Sequence, residues 1–231
     1  MITIVAHRGA PQCACENTIK SFLAAVSLGA DMVELDVRKA GDGTLVVFHD
    51  PWLSRKTRSP RIADLTYKEI NKRAKRKKFH VPTVEEAFTA LAGKAMLNIE
   101  IKEHGCEEDI VKLAKRLLRD GRFILTSFHP AVVVAVKSVD TRLTTGLILA
   151  KSKDLPNGEK TAAEVLAPEK ELFASERKFF SEAHKKGKKI AVWTVDSVSL
   201  LSCLLVDPLV DAVITNRTDR ALSLRKKLCG S

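Results

Sequence analysis

Met32-Val33-Glu34-Leu35-Asp36-Val37-Arg38 is followed, across Gly41-Asp42-Gly43, by Leu45-Val46-Val47-Phe48-His49. In the first run Val33, Leu35 and Val37 alternate with Glu34, Asp36 and Arg38, so a strand here has one apolar and one charged face. Only about six residues separate the two runs, and a parallel crossover needs a dozen or more. The pair is therefore expected to close as an antiparallel hairpin, for which Gly-Asp-Gly is suitable turn chemistry.

Outward from this hairpin, strand-like and helix-like segments alternate almost to the end of the 231 residues. The remaining strand candidates are residues 2–7, 96–102, 123–127, 143–149, 163–167, 189–194 and 212–216. With 45–49 set aside as an added ribbon beside 32–38, eight parallel strands remain, which predicts an α/β fold of the (β/α)8 TIM-barrel type. Ile19, Phe22, Leu23 and Val26 have helical spacing, with Asn17 as the expected cap and Gly29 as the stop. Ile110, Leu113, Ala114 and Leu117 repeat the pattern up to Gly121, and Thr66-x-x-Glu69 and Thr83-x-x-Glu86 read as capping boxes. No repeat or flexible linker interrupts the chain, so 1–231 is expected to be one domain, with the irregular insertion 51–81 as its lid.

The net charge of +11 suits anionic substrates or an anionic membrane surface. The basic run from Lys72 to Lys78 contains no aromatic residue on which a base would stack, which argues against a specific nucleic-acid partner. The five cysteines (Cys13, Cys15, Cys106, Cys203 and Cys229) are odd in number and scattered, unlike a disulfide framework. The apolar run 2–6 is too short for a secretory h-region or a membrane span. The expectation is a cytoplasmic protein. Cys13-x-Cys15 lacks the second pair that a zinc site needs.

Glu34 and Asp36 share the charged face of their strand, and Asn98, Glu100 and Lys102 share one face of another. Carboxylates converging inside a barrel repel one another unless a cation joins them, so Glu34, Asp36 and Glu100 are expected to ligate a hard divalent ion. The alternative is an internal ion-pair network with Arg38 and Lys102. His7 and His49 end their strands at the rim where barrel active sites lie.

His7-Arg8-Gly9, Glu16-Asn17-Thr18, Val33 to Val37, Val47-Phe48-His49-Asp50, Val81 to Glu86, Leu97 to Lys102, Ser127-Phe128-His129, Val192 to Val195 and Val213 to Asn216 together resemble the glycerophosphodiester phosphodiesterases. These pieces occur in family order along nearly the whole chain. Two departures are Cys15, where the family has proline, and Leu53-Ser54-Arg55-Lys56-Thr57, where it has Leu-Asp-Arg-Thr-Thr. The resemblance implies an acid/base pair in His7 and His49, and magnesium or calcium on Glu34, Asp36 and Glu100. It further implies phosphate binding by Arg8 and Lys102, and glycerol packing against Trp193, with Phe128 in the same cavity. The implied reaction is hydrolysis of a glycerophosphodiester to glycerol 3-phosphate and an alcohol, through a cyclic phosphate. Two rival readings are an intracellular phospholipase-like enzyme acting on lysophospholipids and a non-catalytic anion-binding barrel.

Overall fold

In the computed structural model, residues 1–54, 56, 58, 60–75, 79–118 and 122–230 are described. Nine strands form one sheet: β1 (Thr3–Ala6), β2 (Met32–Lys39), β3 (Leu45–Val47), β4 (Met96–Ile101), β5 (Phe123–Ser127), β6 (Thr145–Leu149), β7 (Val165–Pro168), β8 (Lys189–Val192) and β9 (Ala212–Thr215). Their order is β1-β9-β8-β7-β6-β5-β4-β2, and β1 pairs in turn with β2, which closes a parallel eight-stranded barrel. β3 lies outside the closure and runs antiparallel to β2, with Val37 opposite Val47 and Lys39 opposite Leu45. The expected hairpin and barrel are both observed. Several strands stop short of the expected bounds, and the residues beyond them, His7, His49, Lys102 and Asn216, belong to the loops over the strand ends.

The helices are α1 (Ile19–Leu28), α2 (Tyr67–Lys75), α3 (Val84–Leu91), α4 (Glu107–Leu117), α5 (Pro130–Val139), α6 (Leu155–Lys160), α7 (Lys170–Ser175), α8 (Arg177–Lys185), α9 (Val198–Leu204) and α10 (Thr218–Cys229). Their apolar faces cover the outside of the barrel. Val33, Leu35, Val37, Leu97, Ile99 and Ile101 meet Phe22, Phe88 and Ile110 there, and all nine side chains are fully buried. Inside the barrel a smaller apolar layer, with Val5, Met32, Ile148 and Ile214, underlies the charged ends of β2 and β4.

Two expectations need correction. The cap of α1 is Thr18, whose side chain accepts from the Ser21 N–H, and not Asn17. Asn17 has φ +56° and is buried against Asp36, so its amide serves the barrel interior instead of the helix. The insertion 51–81 is not irregular throughout. It contains a 3₁₀ turn at Ile62–Asp64 and helix α2, and its Leu53, Ile62, Leu65, Ile70, Ala74 and Val81 form a separate small core with Ala40 and Val46 of the hairpin. Both capping boxes are present: Thr66 exchanges hydrogen bonds with Glu69, and Thr83 with Glu86. Gly29 ends α1 with φ +92°, as expected. The expected stop at Gly121, and Arg55, Thr57 and residues 76–78 of the insertion, lie outside the described residues.

Candidate active site

An open cleft sits at the carboxyl ends of the strands. Each strand end contributes in turn. β1 delivers His7 and Arg8; β2, Glu34; the residues after β3, His49; β4 and its continuation, Asn98, Glu100 and Lys102; the residues after β5 and β8, Phe128 and Trp193. The expected site residues therefore converge on one cleft, apart from Asp36, which lies buried directly behind it.

Glu34, Asp36 and Glu100 bring one carboxylate oxygen each to within 4.8 Å of one another. All three are buried, as strand side chains pointing into a barrel must be. Asp36 is held in its charged form. Burial pushes its carboxyl upward, but Lys102 at 3.2 Å, Arg8 Nε at 3.2 Å and the Asn17 amide at 2.7 Å outweigh this and hold it below the ordinary range. Burial and the neighbouring Asp36 drive Glu34 well above that range. Burial likewise raises Glu100 to about 7, although Lys102 pairs with it.

Glu34 Oε2 accepts from the Arg8 N–H at 2.7 Å, whereas Glu34 Oε1 is buried without a hydrogen-bond partner, as is Asp36 Oδ1, which faces the Lys102 ammonium at 3.2 Å. A buried acceptor with no donor is costly. Together with two neighbouring carboxylate oxygens it forms an all-oxygen donor set suited to magnesium or calcium. The Lys102 ammonium supplies part of the needed positive charge, bridging Asp36 and Glu100. Arg38, by contrast, turns away to Glu103 at 2.9 Å and to the His49 carbonyl, so it is not part of an ion-pair network with the triad.

The two histidines are held differently. His7 Nδ1 lies 2.8 Å from Asn216 Oδ1, and Asn216 Nδ2 in turn donates to Asp196 Oδ2 at 2.8 Å. With the amide thus oriented, its oxygen must accept, so His7 carries its proton on Nδ1 and Nε2 is left as an acceptor. Burial, aided by Arg8, depresses the His7 pKa to about 4, and the imidazole is neutral near pH 7. His49 Nδ1 lies 2.8 Å from the Asp50 carboxylate, which favours an imidazolium. Burial and Lys102 nevertheless hold it below the ordinary value.

In the same cleft the Phe128 and Trp193 rings meet edge to face with centroids 5.6 Å apart. Trp193 Nε1 donates to the Ala167 carbonyl at 2.7 Å, which fixes the indole plane, and Lys102 Nζ lies 5.5 Å from the Phe128 centroid. The cleft thus combines charged and aromatic side chains.

Residues 7–220 match the family described as the glycerophosphoryl diester phosphodiesterase family. The chain belongs to this family. A "glycerophosphodiester phosphodiesterase" of Caldanaerobacter subterraneus subsp. tengcongensis is 32% identical, covering 97% of this chain and 98% of its own. The crystal structure of a glycerophosphodiester phosphodiesterase from Thermotoga maritima superposes with a TM-score of 0.83 at 26% identity, covering 97% of this chain and 99% of its own. An Oleispira antarctica phosphodiesterase solved in complex with the product sn-glycerol-3-phosphate also has a TM-score of 0.83 at 26% identity, covering 96% of both chains.

In this glycerophosphoryl diester phosphodiesterase family member, reading by strand had not singled out Asn17, Asp50, Asp196 and Asn216. Asp50 and Asn216 contact the cleft histidines, Asn17 contacts Asp36 behind the cleft, and Asp196 contacts Asn216. Asn216 carried a usable signal, since it follows the last strand directly. Asp196 carried none, because its contact with Asn216 and Thr215 is made between separate loops.

Proposed function

We propose that this chain hydrolyses glycerophosphodiesters to glycerol 3-phosphate and an alcohol, using a divalent metal and the two histidines. The observation that carries the reading is the partnerless, buried Glu34 Oε1 within a carboxylate triad beside His7 and His49. Glu34, Asp36 and Glu100 would hold magnesium or calcium, and the bound ion would offset phosphate charge and lower the pKa of a nearby hydroxyl. Arg8 and Lys102 bind the remaining phosphate oxygens, and Trp193 and Phe128 hold the glycerol.

The hydrogen-bond partners support His7 as the base and His49 as the acid. His7, neutral with Nε2 as acceptor, takes the proton from the glycerol 2-hydroxyl. That oxygen attacks phosphorus, the bond from phosphorus to the alcohol breaks, and His49 protonates the departing oxygen. A carboxylate partner stabilises the charged form this donor needs, which the amide behind His7 does not. Water then opens the cyclic glycerol phosphate with the roles reversed, His49 taking its proton and His7 returning one to the 2-oxygen. Normal turnover of a 2-deoxy substrate would exclude the cyclic route.

The direct test is release of glycerol 3-phosphate from glycerophosphocholine and glycerophosphoethanolamine with magnesium, calcium or chelator. Release that needs both metal and His7, judged with His7→Ala, supports the proposal; release that survives chelator and His7→Ala refutes it. The four described cysteines with an assigned state are free thiols, which fits a reducing, cytoplasmic setting. No helix among the described residues is long and apolar enough to cross a membrane. We take residues 1–231 as one domain, with the insertion 51–81 as its lid.

One observation favours lysophospholipids as further substrates. α2 exposes Lys68, Lys72, Arg73 and Lys75, a surface suited to anionic lipid. Co-sedimentation with anionic vesicles that is abolished by salt is the expected result. Binding that persists in high salt would argue against this surface.

A further inference from the structure

The hairpin that places His49 carries one buried charge that the chemistry above does not use. Arg38 follows Asp36 by two residues on β2 and is only 7% exposed. Backbone pairing in the hairpin extends to Phe48, whose N–H donates to the Asp36 carbonyl at 3.0 Å. At His49 the hold comes from a side chain, because Arg38 Nε donates to the His49 carbonyl at 2.9 Å. The same guanidinium is fixed at its other end. Arg38 Nη1 donates to Glu103 Oε2 at 2.9 Å, and Glu103 Oε1 accepts from the Lys39 N–H at 2.9 Å. Glu103 directly follows Lys102, whose own N–H donates to the Val37 carbonyl at 3.1 Å. The Arg38 fork thus ties the segment after β3 to the segment after β4.

We propose that Arg38 is a positioning residue for His49: it holds the His49 main chain so that the imidazole meets the departing oxygen, and Glu103 fixes the guanidinium. The inference rests on the hydrolysis proposed above, in which His49 protonates that oxygen. A strut needed only for stability would not call for an ion pair here, since replacing a buried pair by packed apolar side chains is often neutral or stabilising. What the planar guanidinium adds is direction. It bonds a carbonyl and a carboxylate at once in fixed relative positions, and the point charge of a lysine does not reproduce that fork. The two holds on His49 are complementary. Asp50 orients the ring through Nδ1, and Arg38 fixes the backbone from which the ring projects. A displacement of about 1 Å at a catalytic group can cost about 100-fold in rate, so a backbone anchor matters to the chemistry.

The test uses dependence on the leaving group, which follows a general acid and not the fold. The wild-type protein, Arg38→Lys, Glu103→Gln and His49→Ala are compared, with magnesium, in single-turnover release of the alcohol from glycerophosphocholine and from the p-nitrophenyl ester of glycerol 3-phosphate. Choline leaves as an alkoxide that needs a proton, whereas p-nitrophenolate leaves without one. Arg38→Lys is expected to slow choline release about tenfold, a part of the roughly 100-fold or more that a general acid contributes. Nitrophenol release, and the half-saturating concentration of either ester, should not change. Glu103→Gln keeps the side-chain shape on a half-buried residue, so it carries the test if Arg38→Lys fails to fold; it should slow choline release selectively by a smaller factor. Equal slowing of both esters by these variants, or none, would overturn the inference. His49→Ala separates the inference from the reading beneath it. If His49→Ala is selective for choline release and Arg38→Lys is not, the acid role stands and the positioning role falls. If His49→Ala slows both esters alike, His49 is not the acid, and both fall together.

Discussion

Glu34 illustrates how one residue serves two neighbours. Its Oε2 holds the Arg8 backbone in place, and its Oε1, buried without a partner, is the oxygen proposed to meet the cation. Glu34→Gln should therefore abolish tight magnesium or calcium binding in calorimetry while the fold persists, because the amide keeps the shape and loses the charge. Arg8 itself sits at φ +56° and the next residue, Gly9, at φ +87°. A Cβ on Gly9 would lie 2.5 Å from Ser21 Oγ and 2.6 Å from the Ser21 carbonyl carbon. Gly9→Ala is expected to destabilise the protein by about 2–3 kcal/mol in urea titration, since neither the backbone angle nor helix α1 can yield. For Asn216 the expectation concerns rate. Asn216→Leu removes the acceptor that fixes the His7 tautomer, so kcat should fall about 100-fold while calorimetric metal binding is unchanged. Loss of metal binding as well would show that Asn216 supports the site's structure and not only His7.

At the scale of elements, the strands make the site and the helices make the strands possible. Alternation along β2 puts Val33, Leu35 and Val37 under the helices and Glu34 and Asp36 inside, and this was legible because strand period is independent of fold. The cap of α1 was misplaced by one residue because Asn17 and Thr18 both suit that position; only the nearby Asp36 draws Asn17 away from it. The Thr83–Glu86 capping box was readable because it is a purely local pattern. Thr83→Ala should cost about 1 kcal/mol in the same titration. Within the insertion the Thr66–Glu69 capping box made the start of α2 legible, but its small core was not, because Ala40 and Val46, which complete it, lie in the hairpin.

For the whole molecule, the consequence of burying three carboxylates is a dependence on pH. Glu100, at about 7, and Glu34, well above the ordinary 4.5, bind protons in the folded protein that the unfolded chain has already released. The stability these two carboxyls contribute is thus greatest below the unfolded value and is lost as pH rises through the folded one, whereas His7, depressed to about 4, and His49 contribute in the opposite sense below their ordinary 6.5. The melting temperature of the metal-free protein should therefore fall between about pH 6.5 and pH 8, and added magnesium or calcium should restore more stability at the higher pH, because ligation requires both carboxylates ionised. A melting temperature that rises over that range without metal would contradict the raised values. The sequence by itself determined the barrel, the hairpin and the residues that line the cleft, because strand alternation, turn chemistry and strand-end position are local properties. Only the tertiary structure decided which histidine is backed by an amide and which by a carboxylate, and which carboxylate oxygens have no hydrogen-bond donor. Those depend on contacts between loops far apart in the chain, such as Asp196 on Asn216 and Asn216 on His7, and no local pattern encodes them.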